Sequence, residues 1–107
     1  MSLERGLELV RAERWFDAHE ALEEEWRDAP PEERDFLQGL VHVTVAWHHA
    51  GRGNANGAAR QLAKAQRRLA SYAPTHRGVD VARVLGQVSA AEARVEVGAL
   101  SLLPIKI

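Results

Sequence analysis

Apolar side chains recur every three to four residues along most of the chain, which is the spacing of one face of an α-helix. Proline and glycine fall between the periodic stretches, at residues 30–31, 51–54 and 74–78 and at Pro104. No stretch alternates apolar and polar residues over the length of a strand, and Pro104 weakens the best candidate, at residues 100–105. The pattern predicts an all-α fold, a compact bundle of about five helices with no sheet.

The predicted helices cover roughly residues 3–13, 15–27, 31–50, 56–72 and 80–95. Pro31 favours the first turn of the third helix, and Gly51 follows its last turn. The short connections favour antiparallel neighbours. A length of 107 residues indicates one domain over residues 1–107, and we expect its tail, residues 98–107, to be extended.

The composition excludes several kinds of binding site and limits where in the cell the protein is expected. The chain has no cysteine, which excludes disulfides, thiolate zinc sites, iron–sulfur clusters and cysteine nucleophiles. Its first residues lack the layout of a signal peptide. The longest uncharged stretch of the first half, residues 36–50, is too short and too polar to span a bilayer. We expect a cytoplasmic protein without a membrane partner.

Charge is distributed unevenly, although the net charge is only −1. Residues 1–35 carry twelve acidic and five basic side chains (−7), and residues 36–107 carry nine basic and three acidic ones (+6). The preferred interpretation is that the two halves face each other within the fold or across a homodimer. The fourth helix has a basic face at Arg60, Lys64, Arg67 and Arg68, but no aromatic residue is interleaved, and the pI is near 6.5. Nucleic-acid binding is therefore the less favoured alternative.

Polar residues occupy unexpected positions on the second helix. At 100° per residue, His19 and Glu23 fall in an apolar sector between Phe16 and a group of three large side chains, while Glu20 lies at the edge. That group consists of Trp15, Leu22 and Trp26. His19 and Glu23 are four residues apart and so can contact each other. Because an unpaired buried charge costs several kcal/mol, we expect both to point inward and to find partners on another helix.

The third helix offers those partners. Its wheel places His48 in the apolar sector, so His48 is predicted to be the most buried histidine. Gln38, His42 and His49 share another side, where the two histidines are predicted to border a cleft or solvent. Gly39 either permits a close helix approach near this cluster or is simply tolerated.

Three interpretations of the cluster remain open. The preferred one is a buried hydrogen-bond network in which His19 and Glu23 bond Gln38, His48, an indole N–H or a helix end. The second is a zinc, iron or manganese site at His19, Glu23 and His48, with Glu20, His42 or His49 as further ligands. Against it, Glu23 stands where a His-Glu-x-x-His motif needs its second histidine, and no helix carries Glu-x-x-His. The third is a small-molecule or peptide pocket lined by Trp15, Trp26 and Trp47.

Residues 14–26 and 36–41 resemble the signature of a prokaryotic family, domain of unknown function 309, in which His-Glu-x-x-Glu-x-x-Trp is followed by Gln-Gly. The resemblance covers roughly residues 5–85 and implies an all-helical fold but no activity. His42 departs from the family pattern, as do residues 43–45, where small alanines are usual. The positions that match the motif are His19, Glu20, Glu23, Trp26, Gln38, Gly39 and His48.

These observations favour a non-catalytic ligand-binding or protein-interaction module, with a polar cluster between the second and third helices. Its candidate site residues are His19, Glu20, Glu23, Trp26, Gln38 and His48. The alternative is a metal-dependent, hydrolase-like enzyme that uses a divalent metal at His19, Glu23 and His48, with Glu20 or Glu23 as general base. The partner is an unidentified protein or small ligand, and a homodimer stays open.

Overall fold

A computed structural model describes residues 2–107 and contains five α-helices. The helices are α1 (Leu3–Arg11), α2 (Trp15–Asp28), α3 (Pro31–Gly51), α4 (Ala55–Leu69) and α5 (Val81–Glu96). A short 3-10 turn, Ala70–Tyr72, extends α4. The side chains of Ser2, Asn54 and Asp80 cap α1, α4 and α5 by accepting a backbone N–H from the first turn. The predicted helical bundle is confirmed.

The long helix α3 lies at the centre, with α2 and α4 packed against it. Three side-chain contacts join α3 to α4 or its cap: Asp35–Arg68, His42–Gln61 and His49–Asn54. Each step of seven residues forward along α3 is matched by seven residues back toward the start of α4. Seven residues are nearly two helical turns, so the pair forms an antiparallel hairpin. The connection between the two helices, residues 52–54, is only three residues long, and a connection this short favours antiparallel packing.

Gly39 lets α3 and α4 approach closely. A Cβ atom built at Gly39 would lie 2.5 Å from Cγ of Leu69 and 3.3 Å from Cβ of Arg68. Gly6 plays the same part between α1 and α2, where an added Cβ would lie 2.7 Å from Cδ2 of Leu22. Of the two alternatives for Gly39, the structure shows the close approach, but it faces α4 instead of the polar cluster beside α2.

The prediction of no sheet needs a minor correction. Strands β1 (Thr75–His76) and β2 (Val79–Asp80) form a two-stranded antiparallel ribbon. The linking residues Arg77 and Gly78 both have positive φ, 48° and 79°, as a two-residue hairpin turn of the type I′ class requires. Strands of two residues are too short to show alternation, so hydrophobic periodicity could not reveal them.

One continuous core of apolar side chains runs through all five helices and includes Ile105 from the tail. Residues 99–107 have no regular secondary structure, so the candidate strand at residues 100–105 does not form. Side chains of the helices hold this segment instead. Among residues 2–107, no helix combines the length and the hydropathy that a transmembrane span requires.

Candidate functional site

The predicted polar cluster lies at the surface between α2 and α3. Nε2 of His19 is 3.3 Å from Oε1 of Glu23, so the expected contact exists, but the side chains are 33% and 36% exposed. The expectation that both are buried was wrong. The buried stripe of α2 consists of Ala18, Ala21 and Leu22, which leaves His19 and Glu23 on its flank. The two alanines are small, so α2 packs closely against its neighbours along this stripe. The helical wheel placed the buried side of α2 incorrectly, because it was centred on the large side chains Trp15 and Trp26.

A groove of about 370 Å³, open to solvent, continues from Glu23 toward α4. It is lined by Glu23, Trp26, Arg34, Asp35, Gln38 and Arg68. We call this the α2–α3 groove. Three candidate residues chosen from the sequence, Glu23, Trp26 and Gln38, therefore share one surface. Arg34 and Asp35 were missed, because no apolar sector singles out their positions on α3, and Arg68 was placed only on the basic face of the fourth helix.

Two charged contacts shape the α2–α3 groove. The guanidinium carbon of Arg34 lies 4.5 Å from the centre of the Trp26 ring, a cation–π distance. Nη1 of Arg68 donates to Oδ1 of Asp35 at 2.6 Å. Both contacts link neighbouring helices, α2 to α3 and α3 to α4. The groove thus presents cations and carboxylates side by side around an indole ring.

His48 does not line this groove but lies near His19 of α2. It is only partly buried. Burial lowers its pKa below the ordinary value of 6.5, and the positive charges of three neighbours lower it further: Arg52, His49 and His19. The uncharged imidazole of His48 is therefore favoured at neutral pH.

The most buried histidine is His42, not His48, which corrects the prediction. His42 is 8% exposed, and its Nδ1 lies 2.7 Å from Oε1 of Gln61 on α4. Burial lowers the pKa of His42; the bond to Gln61 opposes this shift, and the nearby cations of α4 support it. In the neutral ring, Nδ1–H donates to the Gln61 oxygen. A wheel of α3 alone could not show that α4 covers this side.

Glu20 lies apart from the α2–α3 groove. It is exposed and lines a different depression, between α2 and α1, with residues that include Arg5, Arg14 and Asp17. The 100° rotation per residue that separates Glu20 from its neighbour His19 explains the difference. The structure therefore does not bring Glu20 together with His48.

The three tryptophans do not share a pocket. Trp26 borders the α2–α3 groove, whereas Trp47 is buried and its indole Nε1 donates to the carbonyl oxygen of Leu103 in the tail at 2.9 Å. Trp47 lines a separate groove between α3, α5 and the tail. Trp26 and Trp47 thus line separate grooves, which contradicts the expected pocket shared by Trp15, Trp26 and Trp47.

Residues 2–107 contain no group of three or more His, Asp or Glu side chains arranged to hold a metal ion. His19 and Glu23 offer one nitrogen and one oxygen in contact, and a third ligand such as His48 would have to move toward them. The assignment of His19, Glu23 and His48 as ligands stays a prediction that this geometry does not support.

A second polar cluster escaped the sequence analysis. Nε2 of His76 in β1 lies 2.8 and 2.9 Å from the two carboxylate oxygens of Glu33 in α3. The His76 ring also packs against Phe36 and Tyr72, with centroids 4.7 and 4.8 Å apart. Forty-three residues separate Glu33 from His76. Helical spacing therefore gave no signal, and the contact anchors the ribbon to α3.

Comparison with known proteins adds family information. A family model described as "Domain of unknown function (DUF309)" matches residues 3–61, which contain every residue of the α2–α3 groove except Arg68. The uncharacterized protein YpuF of Bacillus subtilis (strain 168) is 37% identical over 67 residues, which are 62% of this chain and 37% of YpuF. The chain thus spans little more than a third of that relative's length. No solved structure matches.

Proposed function

Because the chain belongs to the DUF309 family, whose description assigns no activity, we propose from its own geometry that it is a non-catalytic protein-interaction module. The binding surface is the α2–α3 groove, extended by His19 and His48. The observation on which this depends is that Glu23, Trp26 and Gln38 line one open groove. We further propose that residues 1–107 act as a single domain and that the protein works in the cytoplasm.

Partial exposure of the polar residues supports binding. The contact between His19 and Glu23 lies at the surface, so it does not belong to a sealed network. Both side chains are about one third exposed and keep bonding capacity toward solvent. A partner can therefore use this capacity without disturbing the core.

The aromatic and charged residues suit a protein partner. Trp and Arg are the residue types that most often dominate binding energy at interfaces, and here Arg34 holds its guanidinium over the Trp26 ring. Glu23 and Asp35 add negative charge, and Arg68 adds positive charge. Small-molecule sites enclose most of their ligand within an apolar cleft, whereas this groove is open and polar. A partner surface bearing both charge signs fits it better.

The metal-dependent hydrolase is not favoured by a specific observation. It would require a third ligand beside His19 and Glu23. Of its two candidate general bases, Glu20 and Glu23, Glu20 lines a different depression. The interaction module requires no such ligand.

Site-specific photo-crosslinking tests the proposal. A benzophenone amino acid replaces Gln38 in one variant and Glu20 in a matched control, and both are irradiated in a lysate of the native organism. We expect a discrete protein adduct from position 38 and none from position 20. Purified partner is then titrated against the wild type, Glu23→Gln and Glu20→Gln.

Glu23→Gln should weaken the partner's affinity at least about tenfold, which is the scale of a lost charged contact. Glu20→Gln should leave it within about twofold, because Glu20 faces α1. Equal crosslinking at both positions, no adduct at either, or equal affinities of the two variants would refute the proposal.

A further inference from the structure

A second groove lies on another side of the molecule, bounded by α3, α5 and residues 102–106. We call it the second groove. Its volume is about 470 Å³, within the range of small-molecule sites, which is roughly 300–1,000 Å³. Its apolar lining consists of Trp47, Ala90, Ala91, Leu102, Leu103 and Pro104. In contrast to the α2–α3 groove, most of its surface is therefore apolar.

The uncharged polar groups of the second groove are already bonded within the protein. Nε1 of Trp47 donates to the carbonyl oxygen of Leu103 at 2.9 Å. Nε2 of Gln87 donates to the carbonyl oxygens of Lys106 at 2.8 Å and of Arg83 at 3.3 Å. The backbone N–H of Lys106 donates to Oε1 of Gln87, also at 2.8 Å. These bonds fix the tail as one wall of the groove and leave the indole and the amide little capacity for a polar ligand.

The charged lining of the second groove has a single sign. Arg83, Arg94 and Lys106 line it, and all three are exposed. None of the described lining residues is acidic, and within residues 2–107 no ion pair involves these three cations. Nη2 of Arg94 donates to the carbonyl oxygen of Ser101 at 3.2 Å, which leaves its other N–H groups for a ligand. The groove thus combines an apolar floor with cations that the protein itself does not pair.

The cations stand at the two ends of the groove. Arg83 and Arg94 are eleven residues apart on α5, which is about 16 Å along the helix axis. The backbone of Lys106 bonds Gln87, one helical turn from Arg83, so Lys106 belongs to the Arg83 end. Ala90 lies between the two ends and adds only a methyl group to the floor. A pair of cations therefore stands at one end and a single cation at the other.

We propose that the second groove binds a small amphipathic anion, an apolar chain that carries one carboxylate, such as a free fatty acid. The chain lies along Ala90 and Ala91, and its burial supplies most of the affinity. The carboxylate contacts Arg83 and Lys106. An arginine guanidinium suits this contact, because it can donate two parallel N–H bonds to a carboxylate. The site is separate from the α2–α3 groove and does not depend on what binds there.

Calorimetric titration of the full-length protein with decanoate, decyltrimethylammonium and acetate tests the ligand class. The first two probes share one alkyl chain and differ in the charge of the head, whereas acetate has the carboxylate without the chain. We expect decanoate to bind at least about tenfold more tightly than either of the others. The proposal is overturned if decanoate does not bind at millimolar concentration, or if one of the other probes binds equally well.

Ala90→Glu tests the position of the chain, because it places a carboxylate on the floor of the groove at an exposed helix position. The affinity for decanoate should fall at least about tenfold. Ala82→Glu makes the same change at an exposed position of α5 outside the groove and should leave the affinity within about twofold. Equal affinities of the two variants would show that decanoate binds elsewhere.

The double variant Arg83→Gln, Lys106→Gln tests the contact with the head. Only the backbone of Lys106 holds the tail, so the wall of the groove should remain in place. The affinity for decanoate should fall at least about tenfold. The matched control Arg60→Gln, Arg67→Gln removes the same charge from exposed positions of α4 and should change it less than about twofold. An equal loss in both double variants would reduce the effect to net charge and overturn the proposal.

Two further readouts locate the ligand and its source. In NMR spectra, decanoate should shift the indole N–H resonance of Trp47 more than those of Trp15 and Trp26, since Trp47 lines the second groove. Circular dichroism checks that each variant keeps its helices. Sedimentation with vesicles of anionic phospholipid, without binding of free decanoate, would assign the surface to a membrane and contradict the proposal.

Discussion

Individual residues set how closely the helices pack, and Gly39 is the sharpest case. An added Cβ at this position would lie 2.5 Å from Cγ of Leu69, which is too close for real Cβ contacts. Gly39→Ala should therefore lower the free energy of unfolding by about 1–3 kcal/mol through overpacking, although alanine is the better helix former. Gly86, within α5, has no such neighbour within 4 Å of a built Cβ.

Chemical denaturation of Gly39→Ala and Gly86→Ala measures the difference. Gly86→Ala should raise the free energy of unfolding by about 0.5–1 kcal/mol, because it restricts the unfolded chain without a steric cost. If both variants were stabilised equally, the close approach of α3 and α4 at Gly39 would be wrong.

For individual residues, the sequence predicted which side chains lie together better than it predicted how deeply each one is buried. Glu23, Trp26 and Gln38 were chosen correctly as neighbours, since their helical spacing places them on facing flanks of α2 and α3. His42 and His48 were assigned the wrong burial. A wheel shows which residues share a side of one helix, but the covering helix decides which side is buried, and α4 covers His42.

Among the elements, the α3–α4 hairpin contains the buried pair His42 and Gln61. Burial lowers the pKa of His42 below 6.5, so the unfolded chain takes up its proton at a higher pH than the native protein does. The contribution of neutral His42 to stability is therefore complete above about pH 6.5 and is lost as the pH falls below that value. His42→Gln removes the titrating group but can still bond Gln61.

Unfolding free energies of the wild type and His42→Gln, measured from pH 7 to pH 5, test this linkage. We expect the wild type to lose more stability across the interval than the variant does. Parallel curves would show that His42 takes no part in the pH dependence.

The helices could be read from the sequence because each displays apolar residues at helical spacing between turn signals. The end of α4 and the two-stranded ribbon could not be read from the sequence in this way. Residues 70–72 continue as a 3-10 turn, and β1 is held by the contact of His76 with Glu33, which is distant in sequence. Contacts of that kind depend on the tertiary arrangement and leave no local pattern.

At the scale of the whole molecule, the acidic and basic halves meet at one end of α3. Asp35 pairs with Arg68, and Glu33 with His76 and, at 3.8 Å, with Arg77. The expectation that opposite charges face each other within the fold is therefore met at these places. The remaining basic positions of α4, such as Arg60 and Arg67, stay exposed. A homodimer remains a prediction.

Two surfaces of different character result from this architecture. The α2–α3 groove is polar and is formed within the region that matches the family model, except for Arg68. The second groove, bounded by α3, α5 and residues 102–106, is mainly apolar.

The central claim is that the polar residues of the α2–α3 groove are free for binding and do not hold the fold together. The unfolding free energy of the triple variant His19→Ala, Glu23→Gln and Gln38→Ala tests it most directly. Removing an exposed ion pair or changing a surface side chain lowers the free energy of unfolding only slightly. The account therefore predicts a loss of less than about 2 kcal/mol with unchanged helicity. A loss of about 3–5 kcal/mol, as expected from breaking a buried ion pair, would contradict it.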